Sequence, residues 1–112
     1  MAYDRDLADR VREALSGRSV REVTMFGGLA FMVNDKIAAT ANAEGDLMVR
    51  CDPARVETLL ERDGAQWPLM RGRRMSKGWI VIEAERVESD EILESWIQEA
   101  LDHNAKVTGG GE

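Results

Sequence analysis

The sequence predicts an α+β domain in which helices cover one face of an antiparallel sheet of about five strands, a two-layer arrangement. Three observations predict it. Helical apolar stripes stand at both ends of the chain and once in the middle, and alternating or β-rich runs lie between them. The connections between the early β runs are too short for the crossover that a parallel pair needs. At 112 residues the chain suits one domain with a real core. The expected order is α-β-β-β-α-β-β-α, with the domain over residues 1–106 and a flexible, glycine-rich tail over 107–112.

The first helix is expected over residues 4–15. Leu7, Val11, Ala14 and Leu15 share one face, while Arg5, Asp9 and Arg12 look outward. Asp4 or Asp6 serves the free N-terminal amides, and Gly17 suits the C-terminal exit. Residues 21–26 and 29–33 read as two parts of one strand kinked at Gly27-Gly28, because glycine tolerates positive φ and close backbone approach. Asn34-Asp35 reads as a tight hairpin turn, and residues 36–41 return as a second strand. A loop through Asn42-Ala43-Glu44-Gly45 leads to a third strand, with Leu47, Val49 and Cys51 on one face and Met48 and Arg50 on the other.

The middle helix opens at Asp52 as N-cap, takes Pro53 at its first position and ends at Gly64. Val56, Leu59 and Leu60 supply its apolar stripe. Trp79-Ile80-Val81-Ile82 is apolar on both faces and is placed inside the sheet. A short strand around 70–75 is expected to pair with it. Ser89 caps the last helix, whose first turn carries Asp90 and Glu91 against the positive end of the helix dipole. Ile92, Leu93, Trp96, Ile97, Ala100 and Leu101 form its broad apolar face.

Composition narrows the function classes. The formal charge is −6, whereas a protein that coats nucleic acid nonspecifically is basic overall. The charge is unevenly spread: Arg71, Arg73, Arg74 and Lys77 cluster without an acid, while residues 83–102 hold eight acids against Arg86 alone. No apolar run approaches the ~18 residues of a spanning helix. Met1 to Asp6 lacks the apolar core of a secretory signal. Cys51 is the sole cysteine, which excludes an internal disulfide and suits a reducing cytoplasm.

The residues that could carry chemistry are few. One histidine and one cysteine give no zinc-ligand spacing, and the acids follow no EF-hand pattern, so neither a metal nor a cofactor is expected. Cys51 reads as a buried, inert thiol and His103 as a helix C-terminal cap, against the alternative of a Cys51–His103 nucleophile pair. Gly27-Gly28 does not open a helix, so the pair lacks phosphate-loop context. Arg71, Arg73, Arg74 and Lys77 could grip phosphate or carboxylate, with Trp79 as a stacking face. The plainer reading is a solvated hairpin, with Trp79 in the core and the basic charge consumed by the acidic last helix. Met25, Met32, Met48, Met70 and Met75 either fill core gaps or make an adaptable surface.

The chain resembles the TfoX N-terminal domain family, the domain of the Sxy/TfoX regulators of natural competence. Met25-Phe26-Gly27-Gly28 leading into residues 29–33, Leu47-Met48-Val49-Arg50 running into Asp52-Pro53, and Met75-Ser76-Lys77-Gly78-Trp79-Ile80-Val81 before a helix with Trp96 carry the resemblance. It implies an α+β domain like that of the type III secretion chaperones and a link to transcriptional regulation. It brings no catalytic residues. Two-domain members continue into a second, helical domain, and this sequence is expected to be a single-domain member. Met25, Phe26, Gly27, Gly28, Gly78 and Trp79 are expected to be structural. The expected function is a non-catalytic cytoplasmic interaction and regulatory module with a protein partner or a second copy of itself. The alternative is a nucleic-acid accessory protein using Arg71, Arg73, Arg74 and Lys77, and an enzyme of unrecognised type comes third.

Overall fold

In a computed structural model of the protein, residues 3–25, 27–70, 73–74 and 78–108 are described. Helix α1 (Arg5–Ala14) starts where the Asp4 carboxylate accepts the Leu7 amide at 3.2 Å. Beyond it Gly17 turns the chain at φ +86°. Strands β1 (Val20–Met25) and β2 (Gly28–Val33) then pair antiparallel, from Val20 opposite Val33 to Met25 opposite Gly28. This corrects the expectation of one strand kinked at Gly27-Gly28: the two runs are the arms of a hairpin. Gly27, at φ +75°, belongs to the two-residue link that folds the chain back. Gly28 has a second role. A Cβ there would lie 2.6 Å from the Ala41 carbonyl oxygen, so only a bare backbone fits beside the end of the next strand.

Asn34 and Asp35 adopt φ of 53° and 66°, the left-handed pair that a tight two-residue hairpin requires. Strand β3 (Lys36–Ala41) returns along β2, with an irregularity between Phe31 and Met32. Asn42 organises the next loop, its side-chain oxygen accepting the amides of Glu44 and Asp46 at 3.1 and 2.8 Å. Strand β4 (Leu47–Arg50) follows. Asp52 caps as expected by accepting the Ala54 amide at 2.9 Å, but the turn over Pro53–Arg55 is 3-10 and helix α2 (Val56–Leu59) has only 4 residues. Gly64, at φ +82°, ends the segment.

Four short strands follow: β5 (Ala65–Gln66), β6 (Leu69–Met70), β7 (Arg73–Arg74) and β8 (Trp79–Ile82). Among the described residues the expected pairing of the 70–75 region with 79–83 does not form. β6 and β7 pair antiparallel with each other, Leu69 opposite Arg74 and Met70 opposite Arg73. β5 takes the place beside β8 instead. After a 3-10 turn at Ala84–Val87, helix α3 (Asp90–Thr108) runs two residues into the segment read as tail. Residues 109–112 lie outside the described residues.

The sheet order among the described residues is β1-β2-β3-β4-β8-β5, antiparallel throughout. The α+β class therefore stands, with six strands in the main sheet, and β8 is interior as its doubly apolar pattern indicated. Alternation sends Leu29, Phe31, Val33, Ala39, Ala41, Leu47, Val49, Ile80 and Ile82 to one face, where they join Leu7, Val11, Leu93, Trp96 and Ile97 in one core. α1 and α3 touch each other and both pack on β3.

One polar tie locks this layer. Asn104 is 3% exposed; its amide donates to the Val33 carbonyl at 2.9 Å, and its oxygen accepts from the Asn34 side chain at 3.2 Å. The end of α3 is thereby fastened to the β2–β3 turn. Gly28→Ala is expected to destabilise the fold by about 1–3 kcal/mol, since the added methyl meets backbone that must shift. A lowered urea midpoint with an unchanged m-value is the measurement that checks it.

Candidate functional site

Side chains that alternation sends away from the helices line the opposite face of the sheet. On β4 these are Met48 and Arg50, and on β8 Trp79 and Val81, with Met48 opposite Val81 and Arg50 opposite Trp79. The Arg50 guanidinium sits 5.5 Å from the Trp79 ring centroid, within cation–π range. Trp79 is thus half-buried on the helix-free face, and its expected place in the core is corrected. The residue before it explains the placement. Gly78, at φ +113°, accepts the Cys51 amide on its carbonyl at 2.7 Å and approaches the Cys51 carbonyl too closely for comfortable substitution.

Farther along the same face, Ala30 and Thr40 are buried in register with half-buried Val23 and Met48. Met25 and Met32 are half-buried too, so Met25, Met32 and Met48 all lie outside the buried core. Arg21 packs on this face against the Met32 sulfur, at 3.8 Å. The outcome is a shallow apolar face with small residues between methionines, a tryptophan and two arginine stems.

Other sequence candidates fall elsewhere. Gly27 and Gly28 shape the β1–β2 hairpin and its approach to β3, and Phe26 lies outside the described residues. In the basic segment, Arg73 and Arg74 stand on β7, and Arg73 is exposed. Arg71 and Lys77, with Met75, lie outside the described residues. The acids of the last helix do not converge on Arg73 among the described residues. Asp90 pairs with Arg10 at 3.1 Å, and Glu99 holds Arg55 in a two-pronged contact at 2.7 and 3.2 Å.

A second concavity of about 510 Å³ lies between the turn at Pro53–Arg55 and the last turns of α3, lined by Asp52, Arg55, Glu99, Asp102, His103 and Lys106. Four of its charges pair off, Arg55 with Glu99 and Lys106 with Asp52 at 3.1 Å, and Asp102 accepts from the Gln98 side chain at 2.9 Å. The Ala54 amide and Lys106 hold the Asp52 carboxyl below its usual range. His103 is 8% exposed and its Nδ1 has no hydrogen-bond partner among the described residues. Burial pushes its imidazole pKa down, with Arg50 and Lys106 adding to the effect and Asp52 opposing it. Cys51 is fully buried, and its thiol is pushed up to about 11, mainly by burial and secondarily by Glu99 and Asp52. No hydrogen bond joins Cys51 to His103 among the described residues, and no group of three metal-ligating side chains forms there. A thiol so placed is a poor nucleophile.

Sequence reasoning missed the Arg50–Trp79 contact and the Asn104 tie. The alternation of residues 47–51 and 79–82 puts Arg50 and Trp79 on outward positions, but their meeting depends on β4 and β8 being neighbours. Nothing local marks Asn104 as a partner of the β2–β3 turn.

A single helical layer on one face of an antiparallel sheet, with a shallow apolar opposite face, makes this a two-layer α+β domain. The particular kind follows from comparison with known families. The model of the TfoX N-terminal domain matches residues 11–104, most of the chain, and the protein belongs to that family. Comparisons with curated proteins and with solved structures found no match. No helix among the described residues is long and apolar enough to cross a membrane.

The histidine gives a pH test. With its folded pKa below the unfolded value of 6.5, the unfolded chain binds more protons as pH falls past that value. Stability contributed by neutral His103 is therefore complete above this range and lost as pH drops toward the folded pKa. The urea midpoint is expected to fall between about pH 7.5 and 5.5 in the natural protein. In His103→Gln that slope should flatten.

Proposed function

We propose that the protein is a non-catalytic regulatory module that acts by binding another protein with the helix-free face of its sheet. The observation that carries this reading is the composition of that face: Val23, Met25, Met32, Met48, Trp79 and Val81 are half-buried around Ala30 and Thr40. Methionine adapts its shape to a partner, and tryptophan and arginine are over-represented among residues that dominate binding energy. Arg50, stacked on Trp79, supplies a cation whose stem extends the apolar surface. A non-catalytic role agrees with the buried Cys51 thiol and with the paired charges of the His103 cleft. Family membership supports a regulatory role akin to that of the TfoX regulators, and the role proposed is a cytoplasmic one.

A second reading rests on one observation. Arg73 is exposed and makes no ion pair among the described residues, which favours an anion-binding role for the segment with Arg71, Arg74 and Lys77. Nucleic acid is the anion that reading names.

Two experiments separate them. A protein captured from cells by the natural chain is expected to bind Met48→Asp or Trp79→Ala about 10–100-fold more weakly in titration, with the circular dichroism unchanged. Unchanged affinity in both variants sinks the sheet-face reading. Mixed-sequence DNA, followed by fluorescence anisotropy, is expected not to bind at physiological salt. Salt-sensitive binding that disappears in Arg73→Glu/Arg74→Glu would put the nucleic-acid reading first.

A further inference from the structure

The two edges of the main sheet are unlike each other. One edge is β5, with 2 residues, too short to template a partner strand. The other is β1, with 6 residues in the run Val20-Arg21-Glu22-Val23-Thr24-Met25. Proteins blunt a free edge with proline, a bulge, a short strand or charged side chains. β1 is not short, has no proline or bulge, and carries two charges, Arg21 and Glu22. Its register with β2 is unbroken over all its pairs. Its two charges are satisfied within the chain. Glu22 takes two hydrogen bonds from Arg12, at 2.5 and 2.9 Å, and Arg21 lies 3.7 Å from Asp35. Arg21, Glu22 and Thr24 are exposed, so the edge itself is open.

We infer that β1 pairs antiparallel with β1 of a second copy of this chain, about a twofold axis through Val23, joining two sheets into one. The backbone decides which groups take part. The β1–β2 link has two residues, so Met25 and Gly28 form a hydrogen-bonded pair and alternate pairs along the hairpin do the same. Met25, Val23 and Arg21 therefore turn their amides and carbonyls toward β2. Val20, Glu22 and Thr24 turn theirs outward, where among the described residues nothing pairs with them.

A twofold axis normal to the sheet keeps each face on its own side, so only registers that match residues of the same face are allowed. Centring on Glu22 sets Glu22 against its own copy, and centring on Arg21 does the same with arginine. Like charges directly opposite are destabilising. Centring on Val23 avoids both. Glu22 then faces Thr24 of the other copy and exchanges two backbone hydrogen bonds with it, and symmetry repeats the exchange. The Thr24 hydroxyl can also donate to the Glu22 carboxylate that Arg12 already holds. On the helix-free face, Val23 meets Val23, and each Arg21 stem lies against Met25 of the other copy. A strand paired to its own kind closes after two subunits, whereas pairing to the stub edge β5 would leave an open chain.

This goes beyond the partner-binding reading and does not depend on it: Val23 pairing extends the methionine-lined face across two copies without covering Met48 or Trp79. Sedimentation of the full-length protein from micromolar to millimolar concentration is expected to show a reversible monomer–dimer equilibrium. Val23 becomes a non-hydrogen-bonded cross-strand pair with a Cα separation of about 4.5 Å, which a disulfide can span. Mild oxidation of Val23→Cys should therefore give covalent dimer about ten-fold faster than Glu22→Cys. Buried Cys51 stays in place in both variants. Thr24→Pro removes an outward amide that β2 does not use, so it should abolish the dimer while leaving the circular dichroism and urea midpoint near those of the natural chain. A monomer at every concentration overturns the inference. So do faster linking through Glu22→Cys, which would assign another register, and a dimer that survives Thr24→Pro, which would assign another surface. Partner binding, read with Met48→Asp, reports separately on the sheet-face proposal.

Discussion

Everything else in this domain depends on α3 lying across β3 and β4 with Trp96 fully buried. The packing is close because β3 offers Ala38, Ala39 and Ala41, all buried, beneath the helical layer. Small side chains on the sheet let a long helix come near, and the bulk of Trp96 and Phe31 fills the layer that remains. Arg62 closes the outer side of the indole, its guanidinium 3.9 Å from the Trp96 ring centroid, and donates to the Ser95 hydroxyl. With α3 seated, α1 has a neighbour to pack on, and Asn104 reaches the turn that orients β2 and β3.

The same one-sided burial produces the candidate interaction face. A sheet with one helical layer commits alternate residues of β4 and β8 to the core and releases the rest. Leu47, Val49, Ile80 and Ile82 are committed; Met48, Arg50, Trp79 and Val81 are released. A fold that needed both faces for stability would have no such surface. The charges of the domain behave differently. Arg10, Arg12, Arg55, Arg86 and Lys106 each meet a carboxylate, mostly in solvent-exposed pairs. Pairs of that kind are worth about 0–1 kcal/mol each. Their consequence is local charge matching at those side chains, more than stability.

Legibility of the sequence tracked how local each determinant is. Asn34-Asp35 was readable as a tight turn because both residue types tolerate the left-handed dihedrals that they adopt. The β1–β2 turn was misread because its link, Phe26-Gly27, sits inside an apolar run and lacks the polar residues that usually mark a hairpin. Glycine marks a backbone requirement there, yet a bulge and a hairpin make the same demand. Asp52-Pro53 correctly marked a helical start, but Gly64 overstated its length, since a 3-10 turn and four α-helical residues satisfy the same apolar stripe. The basic segment was legible as charge only, and its described part shows a hairpin of its own.

By itself the sequence determined the class of fold, the three helical segments, the antiparallel character of the sheet and the inert setting of Cys51. Each follows from spacing along the chain: a period near 3.6 or 2, a cap, or a connection too short to cross over. Tertiary structure alone decided that β5 rather than the 70–75 region borders β8, that Arg50 stacks on Trp79, and that Asn104 fastens α3 to a distant turn. It also decided that β1 is the long free edge. These are contacts between residues tens of positions apart, and their energies depend on which strands become neighbours, a choice settled by the packing of the whole sheet under one helical layer.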